Sequence, residues 1–183
     1  MNDLILLAAL WEGPKHGWAL KKVAGLISGS GDLHNNLLYP LLKKFVREGW
    51  VRRRSEPGER GQTRAVYSLT PRGHQELLRR LSEFGDREAS SSPEFLVRAG
   101  LFAILDCETR SRILAARDRY LASRESRFSA LQQSIATLDG SEWGSEVVAF
   151  LLEGVTNERK WIRALGKKIA HPPGAKAERR PAC

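Results

Sequence analysis

One short stretch interrupts an otherwise helical pattern. Residues 49–73, GWVRRRSEPGERGQTRAVYSLTPRG, read as two strands joined by a turn. The strands cover about Val51 to Glu56 and Arg64 to Leu69. Pro57, Gly58 and Gly61 lie between them and supply turn geometry. On the second strand Ala65, Tyr67 and Leu69 share a face by the two-residue period, so that face is expected to be the buried one. Thr70 stands where it can cap the next helix, with Pro71 at the first helical position.

Helical patterns flank the hairpin. Residues 3–11 read as a short, very apolar helix that Gly13 and Pro14 bring to an end. In a second helix, from about Gly17 to Ile27, Leu20, Val23, Ala24 and Ile27 follow the i, i+3, i+4, i+7 pattern. The third contains NNLLYPLLKKFVREG, with an apolar stripe from Leu37 to Val46. Pro40 places its start only a few residues earlier, which makes Asn35 or Asn36 the expected N-cap, and Gly49 is its stop signal. The helix after the hairpin is expected to run to about Ala89. Three helices, a hairpin and a helix is the order of a winged helix-turn-helix, with the third helix placed for a DNA major groove and the hairpin as the wing.

Charge supports that order. The chain has 183 residues and a formal net charge of +9. From Lys43 to Arg72 there are nine Lys and Arg against three Glu, a balance of +6 in 30 residues. Such clustering repels itself unless an anion relieves it, and double-stranded DNA does so with release of counterions. Arg52, Arg54, Arg60 and Arg64 are the expected backbone contacts of the wing. On the third helix the face away from the apolar stripe offers Asn36, Tyr39, Lys43, Lys44 and Arg47. Asn can read adenine, and Lys can reach guanine or phosphate. Asn35 and Asn36 have two readings, caps or DNA contacts. Tyr39 either touches a phosphate through its hydroxyl or packs under the wing.

The second half changes character at SSSP, residues 90–93, a linker or the cap of a fifth helix with Ser92 capping and Pro93 following. That helix is expected over 93–105, a long one over 109–138 (about 45 Å) and a last one over 145–170. The long helix carries Leu114, Leu121, Phe128 and Ile135 at seven-residue spacing, with Arg117 and Arg124 interrupting the second apolar position. The last helix repeats the ladder with Val148, Val155, Ile162 and Ile169. Such spacing suits helices packed nearly parallel. Two solutions stand open: pairing with a second copy through Leu114, Leu121, Phe128, Ile135, Val155 and Ile162, or a three-helix bundle within one chain. The fold class expected is therefore mostly α, with a winged domain over 1–90, a helical dimerisation domain over 93–171 and a disordered tail over 172–183.

Other classes find little support. His16, His34, His74 and His171 are scattered, without Cys or carboxylate at metal-ligand spacing, so neither a metal, a cofactor nor an enzymatic site is expected. His16 reads as structural. No apolar run reaches the ~18 residues of a membrane span, and the N-terminus has no signal-peptide pattern. Cys107 and Cys183 are the only cysteines, which argues against a disulfide framework and for a cytoplasmic setting. Cys107 is either an inert thiol or a redox sensor. Trp143 and Trp161 are either core or the lining of an aromatic ligand site. A protein-interaction adaptor that binds no DNA is the alternative function.

Residues LLAALWEGPKHGWALKK, LLYPLLKKFVREGWV and RAVYSLTPRG together resemble the PadR family of bacterial transcriptional regulators, over about the first 85 residues. The resemblance implies a homodimeric, repressor-type DNA binder that dimerises through its C-terminal helices and answers to a small aromatic or cationic effector. Trp18 stands where tyrosine is common. Leu37 stands where a small or hydroxyl residue usually precedes the Leu-Tyr pair, so no operator sequence carries over.

Overall fold

The computed structural model describes residues 1–28, 34–57, 63–136 and 141–170. The chain divides into two compact units. One comprises Met1–Glu83 with Leu96–Leu105, and the other Phe84–Phe95 with the chain from Asp106 onward. The seam read at residues 90–93 lies inside the second of these.

The first unit is built on α1, Asn2–Ala9, whose residues Leu4 to Ala9 are all buried. An eight-residue helix that apolar must be enclosed. It packs on α2, Gly17–Ser28, and on α4, Pro71–Ser82. Between these in sequence come α3, Asn35–Arg47, and the strands β2, Val51–Pro57, and β3, Thr63–Leu69. Leu38, Leu42 and Phe45 turn the apolar stripe of α3 inward. Gly49 ends the helix in the left-handed region at φ 73°, where a side chain would be strained.

Several boundaries differ from the sequence reading. The N-cap of α3 is His34, without a side-chain bond, and Asn35 and Asn36 both lie within the helix. A two-residue strand, β1 at Lys15–His16, pairs with β3 and makes it the central strand in the order β1-β3-β2. The sequence pattern around Gly13 and Pro14 showed only a turn, because two residues carry no periodicity. Pairing on both edges also changes burial: Val66 is buried together with Tyr67, while Ala65 and Leu69 are half-buried. The Thr70 cap is as expected, its hydroxyl accepting from the Gly73 amide at 3.0 Å. α4, however, stops at Ser82, not near Ala89. Arg98, 5% exposed, donates to the Arg80 and Glu83 carbonyls at 3.3 and 3.1 Å and satisfies the end of that helix.

In the second unit Phe84 is buried and packs against Phe95 at 6.3 Å between ring centroids. Gly85 opens α5, Asp86–Ser90, its amide donating to the Glu88 carboxylate at 3.1 Å. α6 spans Ser92–Gly100 rather than reaching 105, and residues Phe102–Ile104 form a 3-10 turn. The oxygen that accepts from the Glu94 amide belongs to Ser91, not Ser92. α7, Cys107–Ile135, starts from Asp106, which accepts from the Thr109 amide at 2.7 Å and is held below the usual carboxylate range by that bond. α8 is Glu142–Ala170. Cys107 is the first residue of α7, and Cys183 lies outside the described residues.

α7 and α8 lie antiparallel, since Gly144 near the start of α8 lies beside Ile135 at the end of α7 while Arg117 in the first half of α7 meets Glu158 in the second half of α8. The two ladders close on each other within one chain. Leu114, Leu121, Val148, Val155 and Ile162 are buried there, and Phe128 and Ile135 are half-buried. Arg117, expected as an interruption, is fully buried. Its guanidinium grips Glu158 at 2.8 and 2.9 Å, donates to the Ala89 carbonyl and the Ser92 hydroxyl, and lies 5.5 Å from the Phe95 ring centroid. Arg159 bonds Asp118 and Glu125 and holds both carboxyls below their ordinary range.

Candidate nucleic-acid interface

The turn between α3 and β2 sets where the charges go. Trp50 packs on Phe45 and under Arg80, at 5.4 and 5.1 Å from ring centroid to ring centroid and to the guanidinium carbon. The Trp50 carbonyl accepts from the Thr70 amide at 2.9 Å, and the Thr70 hydroxyl donates to the Gly49 carbonyl at 2.7 Å. The base of the hairpin is thereby tied to the end of α3 and the start of α4.

With α3 oriented by its buried stripe, residues at 100° steps divide its polar side. Asn36, Tyr39, Lys43 and Arg47 fall on one exposed face, and Asn35 is exposed on its edge. Lys44 falls on the flank, where its ammonium donates to Asp3 at 2.7 Å. Arg80 reaches the same carboxylate at 3.4 Å. Arg47 bonds the neighbouring Glu48 at 3.3 Å and is otherwise exposed. Thus Lys43 projects without an ion-pair partner among the described residues, whereas Lys44 has one.

The strand register sorts the arginines. Arg52, Arg54 and Glu56 lie opposite Ser68, Val66 and Arg64, so Arg52, Arg54 and Arg64 share one face of the sheet. Arg60 lies outside the described residues. Arg53 lies opposite Tyr67 and shares the other face with Ala65 and Tyr67. That face looks onto α3 across a cavity of about 530 Å³, lined by Tyr39, Leu42, Lys43, Val46, Arg53, Ala65 and Tyr67. Arg53 was missed in the sequence, although its signal was there: it stands two residues from buried Val51 and directly across from a tyrosine assigned to the inward face. Tyr39 is 46% exposed and lies near Gly17, where a β-carbon would come within 3.4 Å of its hydroxyl. Its two expected roles are therefore not exclusive.

Among the described residues no group of three or more His, Cys, Asp or Glu is arranged to hold a metal ion. No helix there is long and apolar enough to cross a membrane. His16 pairs with Val66 in the sheet. Trp161 packs edge-on against Phe95 at 5.9 Å, while Trp143 is 82% exposed, so the two do not line a common pocket.

Helices α1 to α3, a hairpin with its short third strand, and α4 make the first unit a winged helix-turn-helix. Residues 6–79 match the transcriptional regulator PadR-like family. Over those residues the winged domain is similar to PadR-like transcriptional regulators. Among solved structures the chain is similar to Bacillus subtilis PadR in complex with operator DNA, at 20% identity over 91% of this chain and 98% of that one, TM-score 0.44. The same protein in complex with p-coumaric acid matches at 18% identity over 92% and 95%, TM-score 0.42. A putative transcriptional regulator from Thermoplasma acidophilum matches at 32% identity over 42% of this chain and 72% of that one, TM-score 0.38. The comparison with curated proteins finds no match.

Proposed function

We propose that the chain is a dimeric, sequence-specific DNA-binding regulator that works as a repressor in the cytoplasm and answers to a small-molecule effector. The observation that carries this reading is the convergence of Asn36, Tyr39 and Lys43 on α3 with Arg53 on β2 around one exposed face. α3 reads base edges there, and the wing arginines Arg52, Arg53, Arg54, Arg60 and Arg64 hold the backbone. Lys44 is assigned to the fold rather than to DNA, because Asp3 already neutralises it. The winged domain binds operator DNA and the helical domain brings two copies together.

The dimer contacts move from the buried ladder to a second seam. Trp143, Val147, Phe150 and Trp161 recur along α8 at alternating steps of four and three, with Gly154 and Asn157 in between. The four large side chains are 82%, 58%, 74% and 41% exposed. Trp143 and Phe150 alone offer roughly 300–500 Å² per chain. Two-fold symmetry doubles that, and Val147 and Trp161 add to it, approaching the ~1,200 Å² of a stable interface. Phe128 and Ile135 retain enough exposure to border such a contact, whereas Leu114, Leu121, Val155 and Ile162 act inside the chain.

DNA from around the chain's own coding region is the test ligand, with salt varied. A dimer should protect two half-sites about one helical turn, ~34 Å, apart or a multiple of it. Arg53→Ala removes one phosphate contact per protomer, so the slope of log affinity against log salt should fall by about 1.8. Lys44→Ala should leave that slope alone. An unchanged slope for Arg53→Ala, with no protected half-sites, would favour the protein-interaction adaptor.

A further inference from the structure

The positive charge of this chain is held in two places. Residues 158–183 carry eight Lys and Arg against two Glu, an excess of +6 in 26 residues. The segment from Lys43 to Arg72 has the same excess and the whole chain only +9, so the remainder of the chain is net negative. Within α8 the two signs are segregated. Glu142, Glu146 and Glu153 are exposed in its first half, and Lys160, Arg163 and Lys167 are exposed in its second. A helix face that merely meets solvent ordinarily alternates the signs. The helix dipole accounts for cations in the last turn, such as Lys167, but its effect does not reach back to Lys160 and Arg163. The ion pairs of α8 use Glu158 and Arg159, and none of the three cations has one among the described residues. Asp118 and Glu125, which feel the charge of Arg163, are already bonded by Arg159.

At 100° per residue Lys160, Arg163 and Lys167 fall within about 60° of one another. They sit away from the buried line of Val148, Val155 and Ile162 and from the exposed line of Trp143, Phe150 and Trp161. The row spans roughly 10 Å of helix, which matches about three successive phosphates of one DNA strand. An anionic membrane would need a large apolar face beside the cations, and the exposed aromatic line of α8 is given to the second copy. We propose that this end of α8 is a second, sequence-independent contact for the DNA backbone, made by the helical unit in its own right. Lys176, Arg179 and Arg180 continue the same charge along the sequence. The proposal rests on the DNA-binding reading only for the choice of polyanion. The winged domain sets the sequence, while α8 raises affinity for any duplex and makes that affinity more sensitive to salt.

Fluorescence anisotropy of the full chain on a random-sequence duplex, with salt varied, tests this. Lys160→Gln/Arg163→Gln/Lys167→Gln should lower the slope of log affinity against log salt by about 1.8 for one contact per protomer, and by about 5.4 if all three reach phosphates. Circular dichroism and sedimentation of this variant should match the parent, because the three side chains are exposed. Arg87→Gln/Arg119→Gln/Arg127→Gln removes the same charge from other exposed positions and should leave the slope alone. An equal fall there would reduce the effect to net charge and overturn the site, as would an unchanged slope in the α8 variant. Loss of binding to phosphatidylserine vesicles with DNA binding intact would make the face a membrane contact and overturn it too. If Arg52→Ala/Arg53→Ala/Arg54→Ala binds the duplex like the parent while the α8 variant does not, the winged-domain reading falls and the α8 contact stands.

Discussion

Arg117 offers the sharpest test of how the second unit is held. Arg117→Met keeps most of the side-chain volume and removes the guanidinium. Glu158 then loses two bonds, and the Ala89 carbonyl and Ser92 hydroxyl lose one each. Removing one partner of a buried ion pair costs about 3–5 kcal/mol. Glu158 keeps 23% side-chain exposure and can reach water, so the lower end, about 3 kcal/mol, is expected. For a chain of this size that lowers Tm by roughly 6–12 °C. The second variant decides the cause. Arg117→Met/Glu158→Leu removes the charges together and should recover most of the loss, because a packed apolar pair replaces the ion pair at little cost. Urea titration at one protein concentration, followed by circular dichroism that α7 and α8 dominate, gives both values. A single variant within about 1 kcal/mol of the parent, or a double variant as unstable as the single, would refute the argument.

Phe150→Glu should yield a folded monomer in sedimentation, since it places a charge in the proposed seam but not in a core. Leu121→Glu should instead unfold the second unit, visible as lost helical signal, because Leu121 is 1% exposed between α7 and α8. The Glu76 carboxyl is lowered to about 2, chiefly by its hydrogen bond to Arg79. A carboxyl lowered on folding stabilises above its unfolded value near 4.5 and loses that contribution as pH falls towards about 2. Glu76→Gln should therefore be less stable than the parent at pH 7 and converge with it in acid, read from thermal melts between pH 7 and 2.

Much of the first unit was legible because its signals are local. Thr70 before Pro71 and Gly49 after Val46 each mark a boundary through the chemistry of one residue, and the apolar stripe of α3 fixes its inner face. β1 was not legible, because Lys15 and His16 become a strand only through a partner some fifty residues away. The end of α4 was missed for a related reason: Phe84 leaves the helix to join Phe95, and no helical periodicity records a change of partner. In the second unit the seven-residue ladders were real, but spacing cannot say which helix fills them. The buried copy of α7 against α8 and the exposed seam of Trp143, Val147 and Phe150 are both heptad-like, and only the former was read. In the candidate site the positive charge was evident from composition. Its division between Lys43 and Lys44, or between Arg53 and Arg54, depends on rotation and register.

Gly73 has a further meaning for how such a chain can change. A β-carbon there would come within 2.0 Å of the Trp50 carbonyl oxygen, so the first turn of α4 rests directly on the start of β2. Thr70 fastens the same spot from the other side. Both feet of the hairpin are thus anchored within one turn of helix, and length cannot be added or removed there without breaking them. A change of length at either foot is therefore excluded by the packing of Gly73 on Trp50 and the bonds of Thr70. A lineage can therefore recharge the exposed positions of β2 and β3 while leaving α3 where it stands, so grip and choice of bases can evolve as separate traits.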